Sequence, residues 1–166
     1  VVITLTHFGY IKRMPEGAYK MQKRGGKGVQ GMQRRDEDFV EDIYVVSTHD
    51  DLLFFTDKGR VYAIKAYEIP ESSRQARGLA IVNLVQLEKD EKISAIIPIK
   101  RDEEGGYLSM LTEQGIYKRT SLDEFKNIKK RGLKAINLKD DDKVIGVRRT
   151  AGDEKIACVT KPVSYT

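Results

Sequence analysis

Residues 52–65 read LLFFTDKGRVYAIK, and this stretch carries the clearest structural signal in the chain. Four apolar residues come first, a polar turn with Asp57 and Gly59 follows, and a second run begins at Val61. Tight hairpin turns require residues such as Asp and Gly, and strands prefer Val, Ile, Tyr and Phe. The stretch therefore predicts two antiparallel strands joined by a short turn.

The same hairpin pattern occurs three times in the chain. Its turn glycine recurs at intervals of 50 and 56 residues, as Gly9, Gly59 and Gly115. A second element, a cation followed by glycine and an apolar residue, recurs at intervals of 50 and 54 residues. Its three copies are Lys27-Gly28-Val29, Arg77-Gly78-Leu79 and Arg131-Gly132-Leu133. Two landmarks with nearly the same period indicate an internal repeat.

Each repeat contains four short runs of strand character. The hairpin supplies two, the cation–glycine element a third, and a run introduced by acidic residues the last. Helical periodicity is weak, and only residues 122–130 suggest a helical turn or two. Four-stranded repeats of this length are typical of propeller blades. We predict an all-β, propeller-like fold with three blades, at about residues 1–48, 49–101 and 102–150, and the start of a fourth in residues 151–166.

The composition is that of a globular protein with an excess of positive charge. Of the 166 residues, 40% are hydrophobic and 33% are charged, and the net charge is +5. No apolar run reaches the roughly 18 residues of a membrane span, and the single cysteine, Cys158, fits a reducing cytoplasm. Eight cations and one anion lie between Lys12 and Arg35. Such a cluster indicates a polyanionic partner.

Within the basic region, seven consecutive residues combine cations with glycines: Gln22, Lys23, Arg24, Gly25, Gly26, Lys27 and Gly28. Glycine lets the backbone approach a partner closely, and Lys and Arg supply the charge that a phosphate needs. The stretch predicts a loop that lies on a polyanion; the alternative is a flexible surface turn with solvated lysines. A nucleotide phosphate loop is excluded, because its Gly-Lys pair is followed by Ser or Thr, and Gly28 stands there instead.

No set of residues in the sequence predicts catalysis or metal binding. The two histidines, His7 and His49, lie near hairpin starts of neighbouring repeats and are expected to be turn or packing residues. Adjacent acidic residues such as Asp50 and Asp51 lie in predicted turns, where Asp forms local hydrogen bonds. We therefore predict no catalytic residue, no metal site and no cofactor in this chain.

The stretch from Gln22 to Gly28 closely resembles the GyrA box, the Gln-Arg-Arg-Gly-Gly-Lys-Gly signature of the DNA gyrase A C-terminal domain. It departs from the signature only at Lys23, which keeps the charge but lacks the bidentate fork of arginine. The resemblance extends through about residues 1–160, including the segments 2–12, 37–39, 47–50, 58–62 and 76–84. Residues 162–166 do not continue the family pattern, and we expect a truncated fragment of the domain or a natural frameshift.

The resemblance implies a β-pinwheel, a blade arrangement in which neighbouring blades exchange strands. It also implies that the domain binds, bends and wraps duplex DNA without strong sequence preference and so supports ATP-dependent negative supercoiling by the whole enzyme, a type II topoisomerase. In that enzyme the cleavage tyrosine, the ATPase and the sites for ATP and Mg²⁺ lie outside this chain. The implied partners are double-stranded DNA, the rest of the gyrase A protein, and the gyrase B protein in an A2B2 holoenzyme. The implied location is the bacterial cytoplasm at the nucleoid, without a membrane.

Cations outside the box recur at equivalent positions of the repeats, and equivalent positions of neighbouring blades form a band. A band of cations at regular spacing can follow the backbone of a bent duplex. The predicted rim cations are Lys12, Arg13, Lys20, Arg34, Arg35, Arg60, Lys65, Arg74, Arg77, Lys118, Arg119, Lys129, Lys130 and Arg131. The simpler explanation is that solvated lysines keep strand edges from aggregating. Reading of the base sequence is not expected, because the sequence predicts no recognition helix for a groove.

Two other interpretations remain open at this point. One is the equivalent domain of topoisomerase IV, whose A-type protein lacks an intact box. The other is a propeller-like scaffold that binds proteins through an acidic face, formed by clusters such as residues 36–42 and 140–142. The intact stretch from Gln22 to Gly28 argues against the first, and binding to duplex DNA would argue against the second.

Overall fold

The computed structural model describes residues 1–17, 38–125, 128 and 132–150 of the chain. These residues form antiparallel strands joined by turns and short 3-10 helices, and the all-β prediction is confirmed. The strands are β1 (Val2–Thr6), β2 (Tyr10–Met14), β3 (Val40–Val45), β4 (Asp51–Thr56), β5 (Arg60–Lys65), β6 (Leu79–Ala80), β7 (Ile93–Ile99), β8 (Tyr107–Thr112), β9 (Tyr117–Ser121), β10 (Leu133–Lys134) and β11 (Val144–Thr150). The 3-10 helices are Ala66–Glu68, Ile81–Asn83 and Leu122–Phe125.

The strands are arranged in three sheets, each built around one of the predicted hairpins. Sheet 1 has the order β3-β1-β2-β6, and sheet 2 has the order β10-β5-β4-β7. Sheet 3, within the described residues, has the order β11-β8-β9. The last strand of each repeat, β3, β7 or β11, pairs with the first strand of its own hairpin. Each sheet therefore corresponds to one blade.

Neighbouring sheets exchange strands. β6 follows β5 in the chain, yet it pairs with β2 of sheet 1, with Tyr10 opposite Ala80 and Ile11 opposite Leu79. In the same way β10 pairs with β5 of sheet 2, with Leu133 opposite Val61. Each exchanged strand begins with the apolar residue of a cation–glycine element. The strand exchange implied by the resemblance is thus confirmed at both described junctions.

Each hairpin turn is closed by a threonine. The hydroxyl oxygen of Thr6 accepts a hydrogen bond from the backbone N–H of Tyr10 at 3.1 Å. Thr56 and Thr112 accept equivalent bonds at 3.2 and 3.0 Å. The glycine of the turn has a φ of +87°, +82° and +87° in the three hairpins, a conformation in which an L side chain is strained. This backbone requirement explains why the glycine recurs at a fixed place in the repeat.

The hydrophobic core lies between the sheets in two clusters. One joins sheets 1 and 2 through residues that include Ile3, Ile11, Leu52 and Phe54. The other joins sheets 2 and 3 through residues that include Leu53, Phe55, Leu108 and Met110. Because side chains alternate between the two faces of a strand, β4 contributes to both clusters. A strand covered on both faces has a continuous apolar sequence, which accounts for the four apolar residues that begin at Leu52.

The exchanged strands lie very close to the hairpins that they join. Gly78 has a φ of +97°, and a β-carbon at this position would lie 2.6 Å from the carbonyl oxygen of Ile11. Gly132 has a φ of +80°, and a β-carbon there would lie 2.7 Å from the ring of Tyr62. Only glycine fits such an approach without displacing its neighbour. We call the junction of β2 with residues 72–80 the first seam, and the junction of β5 with residues 132–134 the second seam.

Candidate nucleic-acid interface

The predicted DNA-binding residues divide into those that the structure describes and those outside the described ranges. The described cations are Lys12, Arg13, Arg60, Lys65, Arg74, Arg77, Lys118 and Arg119. The box residues Gln22, Lys23, Arg24, Gly25, Gly26, Lys27 and Gly28 lie outside the described residues, as do Lys20, Arg34, Arg35, Lys129, Lys130 and Arg131. The site is therefore built here from the seams and the hairpins.

The first seam presents Arg74 and Arg77 on the segment that leads into β6. Arg77 is exposed, and its guanidinium carbon lies 4.9 Å from the centroid of the Tyr10 ring. Stacking of this kind fixes the plane of a guanidinium and leaves its in-plane N–H groups able to bond phosphate oxygens. Segment and hairpin are also joined through the backbone, since the N–H of Ser72 donates to the carbonyl of Arg13 at 3.0 Å. The seam thus holds two arginines in a defined place.

Arginine–tyrosine stacking occurs at three places on the described surface. Besides Arg77 on Tyr10, Arg60 lies 5.4 Å from the ring centroid of Tyr62, and Arg119 lies 4.6 Å from that of Tyr107. The sequence showed these tyrosines and arginines as separate positions. Only the fold shows that they meet, because the partners lie on different strands or at alternate positions of one strand.

Lys12 does not have the place that the rim prediction gave it. Its side chain is only 4% exposed, and its ammonium donates to the carbonyl oxygens of Ser73, Arg74 and Ala76 at 3.2, 2.6 and 2.9 Å. Burial, and after it the charge of Arg74, hold the pKa of Lys12 below its ordinary value. The three donors of the ammonium are directed to the protein itself, so we remove Lys12 from the set of phosphate contacts.

Three other predicted rim cations are partly committed to the protein. Arg13 is half-buried, and its Nε donates to the carbonyl oxygen of Ile69 at 2.9 Å. Arg60 forms an ion pair with Glu88 at 2.7 Å, and Lys65 forms one with Asp51 at 2.8 Å. Exposed ion pairs of this kind are weak, so they reduce the local positive charge without contributing much to stability.

Sheet 3 carries exposed cations on both its outer strands. Lys118 and Arg119 lie on β9, where Lys118 donates to the carbonyl of Ala135 at 3.0 Å. Arg148 and Arg149 lie exposed on β11, and Arg149 pairs with Glu103. The predicted rim omitted Arg148 and Arg149, because they directly follow the apolar run in which the last strand of the repeat was expected. Two consecutive arginines at the end of that run were the signal that could have identified them.

Acidic residues before the last strand of a repeat have a structural function. Asp142 is buried, and its Oδ1 accepts hydrogen bonds from the N–H groups of Gln114 and Lys143 at 3.0 and 2.9 Å. Burial alone would raise the pKa of Asp142, but bonds from Thr112, Gln114 and Lys143 and the charge of Lys139 outweigh it and hold the pKa below its ordinary value. Asp38 accepts equivalent bonds in the first repeat.

The histidines and carboxylates do not form a site for chemistry in the described ranges. His7 stacks on Phe39 with ring centroids 4.9 Å apart, and His49 lies edge-on to Tyr67. Among residues 1–17, 38–125, 128 and 132–150, no three His, Cys, Asp or Glu side chains are grouped so that they could hold a metal ion. Nor does this part of the chain contain a helix with the length and apolar character to cross a bilayer.

Comparison with sequence families gives one extended match. A model of the family described as "DNA gyrase C-terminal domain, beta-propeller" matches residues 1–47, 50–100 and 106–151. The chain is 54% identical over 160 residues to the DNA gyrase A protein of Clostridium acetobutylicum, covering 96% of this chain and 19% of that protein. It is 52% identical over 165 residues to the DNA gyrase A protein of Staphylococcus epidermidis, covering 99% and 18%. The chain thus spans about a fifth of the length of these curated relatives.

Two solved structures resemble the fold at more than 30% identity. The C-terminal domain of DNA topoisomerase IV matches with a TM-score of 0.77 and 32% identity, over 92% of this chain and 46% of that one. The DNA gyrase A C-terminal domain matches with a TM-score of 0.66 and 31% identity, over 92% and 48%. The fold alone does not separate these two kinds of domain, whereas the sequence relatives above are gyrase proteins.

Proposed function

The chain belongs to the family of DNA gyrase C-terminal domains, and from this membership we propose that it binds duplex DNA through the phosphates and bends it around its blades. Contacts go to the backbone, so binding shows little preference for base sequence. Bending a duplex smoothly by 40–90° over 20–30 base pairs costs of order 1–6 kcal/mol. Phosphate contacts on several blades are needed to offset that cost.

The observation that supports this proposal best is the first seam. Arg74 and Arg77 lie together on a segment that is fastened to the neighbouring blade, and Arg77 is stacked on Tyr10. The seam is part of the repeat, so cations recur once per blade in this architecture. Repeated cationic positions on successive blades suit the regular spacing of phosphates on a curved duplex.

The proposed DNA-binding set combines the box with the rim cations other than Lys12. It contains Gln22, Lys23, Arg24, Gly25, Gly26, Lys27 and Gly28, and the rim residues Arg13, Lys20, Arg34, Arg35, Arg60, Lys65, Arg74, Arg77, Lys118, Arg119, Lys129, Lys130 and Arg131. Arg148 is added because it is exposed on β11. The division into repeats at 1–48, 49–101 and 102–150, with residues 151–166 in a fourth, is part of the same proposal.

At the level of the whole protein, we propose that the domain supports negative supercoiling by an enzyme of gyrase type. The wrapped DNA would give the crossing of two segments a fixed sense. Strand passage by other domains, using ATP and Mg²⁺, would then introduce negative supercoils. The partners in this scheme are the rest of the gyrase A protein and the gyrase B protein in an A2B2 assembly, at the nucleoid in the bacterial cytoplasm.

The test is the salt dependence of binding to duplexes of one length and unrelated sequence. Each phosphate contact contributes about 0.9 to the slope of log K against log salt. We expect Arg74→Ala combined with Arg77→Ala to lower the magnitude of the slope by about 1.8. Folding should hardly change, because exposed charges contribute little to stability.

The matched control removes the same charge elsewhere. Lys89 and Lys92 are exposed beside the acidic residues Glu88 and Asp90, and Lys89→Ala combined with Lys92→Ala should leave the slope unchanged. Equal losses in both variants would show that net charge, and not the seam, attracts DNA. Absence of salt-dependent binding in the parent chain would contradict the proposal and favour a protein-binding scaffold.

A further inference from the structure

Four consecutive residues of β2 hold the segment that carries Arg74 and Arg77. Tyr10 stacks on Arg77, and the carbonyl of Ile11 lies against Gly78. The backbone of Arg13 exchanges hydrogen bonds with this segment, its N–H donating to Pro70 and its carbonyl accepting from Ser72. Between them, Lys12 extends its ammonium into the segment itself. The arginines of the second repeat are thus placed by the hairpin of the first.

The contacts of Lys12 use the full donor capacity of its side chain. An ammonium has three N–H donors and no acceptor. Lys12 directs them to three carbonyl oxygens, those of Ser73, Arg74 and Ala76, within one loop of the backbone. The loop is therefore curved around a buried cation, with three of its peptide oxygens pointing inward. Hydrogen bonds to a charged group are among the stronger ones in proteins, so these bonds restrict the loop.

The location of the three carbonyls relates the buried ammonium to the two arginines. One belongs to Arg74 itself, and another belongs to Ala76, the residue before Arg77. Fixing these two peptide groups limits the directions in which both arginine side chains leave the backbone. The charge of Arg74 also acts on the pKa of Lys12, which places the two cations near each other in space.

The same position in the repeat supports the second seam by other chemistry. Lys12 is the third residue after the turn glycine Gly9, and Tyr62 is the third after Gly59. Tyr62 is fully buried, and its ring lies where a β-carbon at Gly132 would be. In both seams this position therefore contacts the segment that surrounds the cation–glycine element of the following repeat. A residue with this place in the fold acts on the incoming segment before it acts on any ligand.

We propose that Lys12 is a positioning residue for DNA binding: its buried ammonium shapes residues 73–76 so that Arg74 and Arg77 reach phosphates together. The inference rests on the proposed function, because it assigns to Lys12 an indirect part in phosphate contact. It differs from two simpler roles. In one, Lys12 would itself contact a phosphate; in the other, it would stabilise the fold without affecting DNA.

A double-mutant cycle separates these roles. The proteins are the parent chain, Lys12→Met, the pair Arg74→Ala with Arg77→Ala, and all three changes together. Affinity for one random-sequence duplex is measured at several salt concentrations, with circular dichroism and thermal unfolding as checks of folding. Methionine keeps an unbranched side chain of similar volume but has no donor.

The expected result is a lack of additivity. Lys12→Met lowers the slope by at least about 0.9 when both arginines are present, and has no effect on it when they are absent. A loss of about 0.9 in both backgrounds would show a direct phosphate contact and overturn the proposal. An unchanged slope with a lowered melting temperature would show a purely structural role and also overturn it.

A second variant keeps the test decisive if Lys12→Met unfolds. Lys12→Gln is neutral but retains two N–H donors for the carbonyls of the loop. A positioning role predicts that Lys12→Gln keeps a slope closer to that of the parent than to that of the arginine pair. A slope as low as in the arginine pair, with folding intact, would overturn it. If the arginine pair itself leaves the slope unchanged, the seam is not the contact, and the proposed function fails there independently of Lys12.

Discussion

The hydroxyl of Tyr62 lies 2.9 Å from the carbonyl oxygen of Gln86 and 3.0 Å from Oε1 of Glu91, beneath the second seam. Burial, and then the hydrogen bond and charge of Glu91, raise the pKa of Tyr62 to about 12 from its ordinary 10.0. The protonated hydroxyl is therefore favoured in the folded protein. One side chain thus combines a packing contact with the next repeat and a polar contact with its own.

This pKa predicts how stability depends on pH at Tyr62. A folded-state pKa above the unfolded value means that the stabilisation is complete below pH 10 and is lost as the pH rises towards about 12. The difference in free energy of unfolding between the parent and Tyr62→Phe should therefore shrink across that interval. Chemical denaturation at a series of pH values measures it. A difference that stays constant from pH 10 to pH 12 would show that the hydroxyl titrates as in the unfolded chain.

Lys12 and Lys118 show that the same residue type at the same place in the repeat can have different surroundings. Each is the third residue after a turn glycine, yet Lys12 is buried and Lys118 is exposed on β9. A folded segment of the next repeat covers Lys12, and its carbonyls satisfy the ammonium. The recurrence of a cation is thus insufficient to predict its exposure, because exposure depends on what packs on it.

At the scale of elements, strand exchange depends on close contact at the two seam glycines. The exchanged strands are short, with β6 and β10 each comprising two residues. Few backbone hydrogen bonds can form over such a length, so the packing around Gly78 and Gly132 must contribute to the junction. The seams also carry the proposed DNA contacts, which links the stability of the junction to the function.

Replacement of Gly78 by alanine should therefore destabilise the protein more than replacement of Gly115. Both glycines have a positive φ, which costs an L residue about 1–2 kcal/mol. Only at Gly78 would the added carbon meet backbone, 2.6 Å from the Ile11 carbonyl; nothing lies within 4 Å at Gly115. We expect an additional loss of about 1–3 kcal/mol for Gly78→Ala, measured by urea unfolding. Equal losses would mean that the junction relaxes and does not need glycine.

At the scale of the whole molecule, the three sheets place equivalent positions of the repeats around a common arrangement of blades. The core clusters join sheet 1 to sheet 2 and sheet 2 to sheet 3. Since the second and third repeats each donate a strand to the preceding sheet, neighbouring blades are connected both by apolar packing and by backbone hydrogen bonds. Such coupling suits a surface that must keep its curvature while a stiff duplex is bent on it.

The box should affect DNA direction more than folding. Replacing Lys23, Arg24 and Lys27 by Ala removes up to three phosphate contacts, and the salt slope should fall by about 2.7. In the full-length gyrase A protein reconstituted with its partner, we expect loss of negative supercoiling with ATP-dependent relaxation and decatenation retained, because only supercoiling needs a wrapped segment. Supercoiling and decatenation are measured on the same preparation. Joint loss of both activities would indicate a role in strand passage or folding, and retention of both would make the box a flexible turn.

The hairpins, their turn glycines and the repeat could be predicted from the sequence because each depends on local chemistry. A positive φ at Gly59 and the alternation of apolar residues in β5 are properties of a few neighbouring residues. The strand exchange entered through family resemblance, since the sequence of β6 is too short to show its partner. Arg148 and Arg149 were missed because a strand pattern does not show which of its residues face solvent.

Local sequence alone thus specified which segments become strands, where they turn, and that the unit repeats. It also specified that the surface has cations to offer a polyanion. The tertiary structure alone decided which of these cations face solvent: Arg77 stacks exposed on Tyr10, whereas Lys12, two residues further along the same strand, is buried. The physical reason is that the segment covering Lys12 comes from another repeat, more than 60 residues away in the chain. The free energy of burying a charge depends on hydrogen-bond partners that only the folded chain brings together.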